Sequence, residues 1–488
     1  MKTKNAIFFL FGLVFLFFSN GRWSFPLAAW LYPVFFLFVS RNLNNKYTYI
    51  TVPILIGICL QLSFWNFTSR NTTNVLFYIP YFAGIIFGLI FLADRLLYNK
   101  EKNFRSTLFF PLLYTSVDFL NNLFNPFGNT GILGYSQFTF LPFAQLASLT
   151  GMWGLTFMIT WFGSVAHWFF DRQEEWALVK KGVVIYAAIL VAILSYGSMR
   201  LVLPLQNSSV RVAGIHTSDK ENDGKEFWKH LAKKDTVSFK KATAVQLTNL
   251  ISKTRLESRA GAKIVLWSEV SPTVLLSQGD SVKRVLETLA KELGIYLIAN
   301  PYLASTGERK PENKIWFFND QGEIVMTHFK YGGNFLEGSV EGDRKLKTID
   351  TEFGRLSSLI CWDADFPSVV KQVGKLDTDI LFNPASDWRE IDPIHAIVAA
   401  FRSIENGVSL VRQTRNGLSL MTDPRGKVIS QMDHFENTEW VNVGCVPNKK
   451  IWTLYPVVGD VFGWLAILTW IVLVAIEFKS SINHTIRK

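Results

Sequence analysis

The chain has 488 residues, of which 49% are hydrophobic and 18% charged, with 42 Phe and a formal net charge of +11. That length allows more than one domain, and the apolar share is higher and the charged share lower than in an ordinary soluble protein. The basic residues lie largely in short loops between apolar runs, without the clustered reading module of a nucleic-acid protein, so no nucleic-acid partner is expected. Three cysteines, Cys59, Cys361 and Cys445, with no CxxC pair, set up neither a disulfide framework nor a structural zinc site, and no metal or cofactor is expected.

A membrane span needs about 20 mostly apolar residues. Apolar runs at 5–19, 25–40, 49–67, 75–97, 106–122, 142–168 and 182–203 predict about seven transmembrane helices in a membrane domain at 1–205. A run at 457–477 predicts a final span and a cytoplasmic tail within 456–488. Lys2 and Lys4 precede the first run, but "FFSNGRWSF" lacks a small-x-small cleavage site, so this run reads as a retained anchor. With the N-terminus inside, the inner loops carry Lys2 and Lys4, then Arg41 and Lys46, then Arg95, Lys100, Lys102 and Arg105, then Arg172, Lys180 and Lys181, and finally Lys479, Arg487 and Lys488. Outer loops carry Arg22 and Arg70, with Arg200 near an outer end. This asymmetry places the intervening segment 206–455 on the extracytoplasmic side. The stretch 121–142, rich in Asn, Gly, Pro and aromatics, is too polar for lipid contact and reads as a re-entrant outer loop.

Segment 206–455 has the patterning of a globular α/β domain. "VRVAGIH", "AKIVLWS", "IYLIAN", "LSSLI", "DILFNP" and "VSLVRQT" read as strands. Residues 236–259, "SVKRVLETLAKEL" and "HAIVAAFRSIENG" read as helices, the last ending at Gly407. Hairpins are expected in "KIWFFNDQGEIVMTHFK" and in "LSLMTDPRGKVISQ".

Three residues fall at the ends of predicted strands: Glu269 in "KIVLWSEVSP", Lys330 in "VMTHFKYGG" and Cys361 in "RLSSLICWDADFP". A free thiol titrates near pH ~8.5 and needs a base or a nearby cation to attack at neutral pH. Glu269 can take that proton and Lys330 can stabilise an oxyanion. Taken singly, each has an ordinary reading as a core thiol, a turn carboxylate or a solvated lysine. Their order and common setting make the acyl-transfer reading the sharper one. The run "PTVLLS" after Glu269 and Gly332–Gly333 after Lys330 are expected to form a mobile, water-excluding lid. Arg402 and Glu405, three apart on a helix, read as a structural ion pair. Asn416–Gly417 reads as a turn, His395 as a capping or packing residue, Cys445 as inert, and Cys59 as facing lipid or a helix.

With these residues in view, segment 206–455 resembles the nitrilase (carbon–nitrogen hydrolase) superfamily, whose Glu–Lys–Cys site sits on an αββα sandwich. The whole chain resembles the membrane-embedded branch of that superfamily, the apolipoprotein N-acyltransferases. "FPLAAWLYPVFFLFVSR", "GILGYSQFTFLPFAQLASLTGMWGLTFMI", "HAIVAAFRSIENGVSLVRQTRNGLSLMTDPRGKVISQ" and "TLYPVVGD" carry the likeness outside the site. The resemblance implies Glu269 as general base, Lys330 as catalytic lysine and Cys361 as nucleophile, with Glu337, Trp362 and Asp363 in support. Where the family has Cys-Tyr-Glu, this chain has Cys361-Trp362-Asp363, an acid shorter by one methylene. The family's wording after the lysine is altered here to "YGGNFLEG". The implied activity moves a fatty acyl chain from a membrane phospholipid, through a Cys361 thioester, to the α-amine of the diacylglyceryl-modified N-terminal cysteine of an apolipoprotein. The implied setting is the bacterial inner membrane. A membrane-anchored amidase acting on a small amide is the alternative, though eight spans exceed what an anchor needs. A transport or scaffold protein is a second rival, disfavoured because few ionisable residues lie deep in the predicted spans.

Overall fold

The computed structural model describes residues 3–42, 47–67, 73–98, 103–205, 208–217 and 225–486. Lys2, Lys46, Arg70, Lys100, Lys102, Arg487 and Lys488, which entered the orientation argument, lie outside the described residues. The chain divides into two compact units. One comprises Met1–Asn125, Gly131–Leu203 and Val458–Lys488; the other comprises Pro126–Thr130 and Pro204–Val457.

The first unit is helical. Its principal helices are Thr3–Phe17, Pro26–Arg41, Thr48–Ser63, Ile79–Tyr98, Phe109–Phe124, Met152–Asp171, Trp176–Val202 and Val461–Ile486. Among the described residues, the stretches Val75–Tyr98 and Val179–Val202 are long and apolar enough to cross a membrane. Thr3–Phe17, Pro26–Arg41, Thr48–Ser63 and Val461–Glu477 are shorter apolar helices. Small residues let neighbouring helices approach closely. Gly84 and Gly88 lie against Gly57 and Pro53 of helix Thr48–Ser63, and a Cβ at Gly84 would sit 2.6 Å from Gly57 Cα.

One feature of this unit departs from the sequence reading. Arg41, assigned to an inner loop, is buried and forms a two-pronged pair with Asp94 at 2.8 and 3.1 Å. Arg41, Asp94, Asp118 and His167 are all buried in this unit, so ionisable groups are more frequent inside it than the apolar runs indicated. The Gly134–Gln137 segment, within the stretch read as a re-entrant outer loop, is buried, and Gln137 Oε1 accepts a hydrogen bond from Trp30 Nε1 at 2.9 Å.

The second unit is an α/β sandwich. Its strands are β1 (Ser209–Ile215), β2 (Ile264–Leu275), β3 (Tyr296–Ala304), β4 (Glu312–Phe318), β5 (Ile324–Phe329), β6 (Thr348–Thr351), β7 (Gly354–Ser358), β8 (Ile380–Ser386), β9 (Ser409–Arg415), β10 (Leu418–Thr422), β11 (Val428–Asp433) and β12 (Val441–Pro447). They form two six-stranded sheets, ordered β12-β1-β2-β3-β4-β5 and β11-β10-β9-β8-β7-β6. The centre of each sheet is parallel, β1-β2-β3 in one and β7-β8-β9 in the other, with antiparallel flanks.

Strand periodicity builds the layers, because alternate side chains point to opposite faces. Ile264 and Leu266 of β2 enter a core shared with Leu356, Ile380, Phe382 and Val411 of the other sheet. Val265 and Trp267, one step out of phase, pack with Leu250 and Leu286 of helices Thr236–Arg259 and Gly279–Leu293. Leu381 and Leu410 similarly meet Val369, Val370 and Ala399 of helices Pro367–Lys375 and Ile394–Asn406. The result is an αββα arrangement. The "PTVLLS" segment is not a lid: it continues β2, with Val274 and Leu275 buried. The Gly332–Gly333 turn is likewise packed, since a Cβ at Gly332 would lie 2.6 Å from the Trp362 carbonyl carbon.

Candidate active site

β2 is not a regular strand where it carries the carboxylate. Its pairing with β3 slips on either side of Glu269, so that Glu269 and Ser271 both face Asn300, and Val270 takes a φ of +61°. Such a bulge re-aims a side chain without breaking the strand. The buried Glu269 Oε1 accepts from Lys330 Nζ at 2.8 Å and from Asn313 Nδ2 at 2.8 Å. Asn313 is in turn fixed by Asn300, whose amide donates to Asn313 Oδ1 at 3.0 Å. Glu269 Oε2 is buried and has no hydrogen-bond partner among the described residues.

Lys330 follows β5, with its backbone N–H bonded to Asn313 O at 3.0 Å and its carbonyl accepting from Gly342 N at 2.9 Å. Its ammonium is clasped by Glu269 and by Glu337, the last residue of the short helix Asn334–Glu337. Burial works against the Lys330 charge, but the Glu269 and Glu337 carboxylates outweigh it and hold its pKa well above the ordinary lysine value. Burial raises the Glu337 carboxyl above its usual range; Lys330 opposes this and Glu269 reinforces it.

Cys361 opens the turn Cys361–Asp365 after β7, at a φ of +45°. A non-glycine residue seldom holds that conformation, and such strain concentrates at functional sites. Burial pushes the thiol up to about 11; Glu269 adds to the rise, while Lys330 and His395 oppose it. The resting group is therefore a thiol that needs a base at the moment of attack.

The structure thus brings Glu269, Lys330 and Cys361 together as buried groups, with the more exposed Glu337 closing on Lys330 from the outside. Asp363 and Trp362 do something different. Asp363 Oδ1 accepts from Tyr331 N at 2.9 Å and Gly332 N at 2.6 Å, and Oδ2 bonds Ile360 N at 3.0 Å and His328 Nε2 at 2.9 Å. It ties the lysine loop to the nucleophile turn, and the shorter acid fits because those backbone groups come to it. Trp362 Nε1 donates to Phe127 O at 2.9 Å, and its ring lies near those of Phe127 and His395. Arg402 and Glu405 are a buried ion pair, and Arg402 also donates to Ala364 O at 2.8 Å and Asn129 Oδ1 at 3.0 Å.

Sequence reasoning missed Asn313, Asp365, Asp387 and His395. His395 was set aside as a packing residue. Its Nδ1 lies 3.2 Å from Asp387 Oδ1 and its Nε2 3.2 Å from Asp365 Oδ2. One donor atom each from Cys361, Asp387 and His395 falls within 4.8 Å of the other two, a spacing that a metal ion could bridge. Both ring nitrogens are turned to carboxylates, so the cluster is built as a hydrogen-bonded network. No sequence motif links these residues; only the turn after β8 and the helix Ile394–Asn406 bring them to the thiol.

Fold and site define the class: a thiol enzyme of the carbon–nitrogen hydrolase type. Residues 236–444 match the carbon-nitrogen hydrolase family model, and residues 7–165 match the model of the apolipoprotein N-acyltransferase N-terminal domain. The chain is 25% identical over 416 residues to apolipoprotein N-acyltransferase of Geobacter metallireducens, covering 79% of this chain and 77% of that protein. It is 23% identical over 480 residues to apolipoprotein N-acyltransferase 2 of Treponema denticola, covering 85% of each. Among solved structures it is similar to a carbon-nitrogen hydrolase from Helicobacter pylori G27, at 15% identity and a TM-score of 0.39, over 49% of this chain and 89% of that one. The chain belongs to the apolipoprotein N-acyltransferase family.

Proposed function

We propose that this chain, as an N-acyltransferase of lipoproteins, takes its acyl chain from a membrane phospholipid and carries it on Cys361 as a thioester. The observation that carries this reading is Glu269 Oε2, without a partner among the described residues, buried together with the Cys361 thiol and the Lys330 ammonium. A carboxylate oxygen left open can take a proton, while a neighbouring ammonium meets developing negative charge.

In the first half-reaction Glu269 accepts the thiol proton as Sγ attacks the ester carbonyl carbon. Lys330 stabilises the oxyanion. The C–O bond breaks and the lysophospholipid leaves with the proton from Glu269. In the second half the α-amine of the diacylglyceryl-modified N-terminal cysteine attacks the thioester carbon, the C–N bond forms and the C–S bond breaks. Glu337 shares the Lys330 charge throughout. Phe335 and Leu336 are exposed beside Glu337, and the Phe335 ring lies 5.4 Å from that of Phe127, which supplies an apolar margin suited to an acyl chain.

The reading extends to the setting: a multi-pass protein of the bacterial inner membrane, with about seven spans in 1–205, the catalytic domain 206–455 on the extracytoplasmic side, and a last span in 456–488. The charge asymmetry of the loops supports that orientation. A small-amide hydrolase is the weaker reading, because the matched N-terminal region belongs to the acyltransferase branch. The test incubates detergent-purified protein with a phospholipid bearing a labelled acyl chain, beside Cys361→Ala. A hydroxylamine-sensitive adduct on the wild type alone is expected. A folded protein with a reactive Cys361 that takes label from no phospholipid overturns the donor assignment.

A further inference from the structure

The Glu–Lys–Cys scheme leaves the His395 side of the thiol unassigned. His395 places a ring nitrogen within 4.8 Å of Cys361 Sγ, and its imidazole is held between two acidic side chains, at 3.2 Å from Asp387 Oδ1 and 3.2 Å from Asp365 Oδ2. An ionised carboxylate only accepts hydrogen bonds, so both nitrogens must donate, and an imidazole that donates twice is the imidazolium. The two acids are themselves held. Arg412 Nη2 reaches the Asp387 oxygens at 3.0 and 2.9 Å, and the Thr130 hydroxyl donates to Asp365. The rings of Trp362 and Trp388 lie 6.1 and 6.0 Å from the imidazole. His395, Asp365, Asp387 and Arg412 are all buried. Burial of so many charges is costly unless they satisfy one another; here two acids and two cations sum to zero, with the imidazolium set beside the nucleophile.

We infer that His395 is a fixed cation that stabilises the Cys361 thiolate as it leaves the thioester in the second half-reaction. This rests on the acyl-transfer reading above. When the acceptor amine attacks the thioester carbon, the C–N bond forms, the C–S bond breaks and its electron pair moves to Sγ. The amine proton passes to Glu269 and afterwards returns to the sulfur. A thiol of high pKa is a poor leaving group, and burial has raised this one. Glu269 and Glu337 together carry more charge than the Lys330 between them, so that cluster alone does not favour a thiolate. Asp387 also faces the sulfur, but Arg412 neutralises it; the compensating charge is the imidazolium end of the His395–Asp365 pair, whose ring nitrogen lies within 4.8 Å of Sγ. The charged groups around the thiol are thus Glu269 from β2, Lys330 after β5, Asp387 after β8 and His395 from helix Ile394–Asn406.

The test uses the full chain in detergent with Cys445→Ser and Cys59→Ala, which leaves Cys361 as the one thiol of the three in the sequence, so that alkylation by iodoacetamide reports on it. His395→Gln is expected to move the alkylation midpoint about one pH unit to the alkaline side, about a tenfold slower reaction at neutral pH. The acyl-enzyme loaded from labelled phospholipid should also persist about tenfold longer with an amine acceptor than in the parent protein. An unchanged alkylation profile in a folded variant overturns the inference; so does a shifted profile with an unchanged acyl-enzyme lifetime. Where the variant does not fold, nitrogen NMR of histidine-labelled parent protein decides: doubly protonated His395 through neutral pH is expected, and a neutral tautomer overturns it. Alkylation and NMR need no acyl donor. A parent protein that takes no acyl chain from phospholipid therefore counts against the donor reading and leaves the charge assignment of His395 to these two measurements.

Discussion

Each unit of this chain buries a basic side chain against a carboxylate, and the two pairs are finished differently. In the helical unit, Arg41 meets Asp94 at two points and donates further to Ser164 Oγ at 3.0 Å, with His167 Nδ1 at 3.1 Å and the Tyr98 ring 3.6 Å from the guanidinium carbon. Both Asp94 oxygens accept a hydrogen bond. In the sandwich, Lys330 meets Glu269 at one oxygen only, and the other has no partner among the described residues. Saturation makes the first pair a staple, whereas the open oxygen gives the second a proton to take. What separates structural from chemical charge here is an unspent lone pair.

The sharpest way to break that contrast is to change each pair in turn. Glu269→Gln keeps the shape but removes the proton acceptor, so phospholipid-dependent labelling of Cys361 should fall roughly a hundred- to ten-thousand-fold, with little change in the thermal melt. Labelling within tenfold of the parent would mean that another group is the base. Arg41→Leu leaves Asp94 buried without its cation and should cost about 3–5 kcal/mol of stability, read as a lowered melting temperature in detergent. Arg41→Leu with Asp94→Leu should recover most of that loss, since neither charge is then stranded. If the double variant is no better than the single one, the pair is more than a staple.

The same distinction explains what could be read in the chain beforehand. Glu269, Lys330 and Cys361 stood out because each ends an apolar run, a local pattern. Helix Thr236–Arg259 was legible from its own periodicity, and the Asp235 carboxylate caps it by accepting from Ser238 N at 3.0 Å. β6 escaped notice because it is four residues long, and β12 because its partner β1 lies at the other end of the domain sequence. His395 escaped because its charge is decided by Asp365 and Asp387, which the fold brings to it. Arg41 looked like a loop charge because nothing near it in sequence announces Asp94. The supposed lid failed for a related reason: "PTVLLS" follows a bulge that lets β2 continue past Glu269, so its apolar side chains enter the core.

Asp363 tests whether saturation alone marks a structural acid, because it sits beside the nucleophile yet has both oxygens engaged. Its four contacts come from Ile360, Tyr331, Gly332 and His328. Asp363→Asn turns an amide NH₂ toward N–H groups that need an acceptor, which should cost about 1–3 kcal/mol in the melt. Acyl loading should fall only as far as Lys330 is displaced with its loop. A loss as large as that of Glu269→Gln, without a matching loss of stability, would assign Asp363 a chemical role.

The smallest effect belongs to Trp362→Phe. It keeps the ring beside Phe127 and His395 but deletes the N–H that donates to Phe127 O at 2.9 Å, a bond worth about 1 kcal/mol. Because the Cys361 and Asp363 backbones are held by other contacts, labelling should change by no more than severalfold. A larger drop would show that residues 126–130 position the nucleophile turn through this indole, and would move Trp362 from the packing side of the comparison to the chemical one.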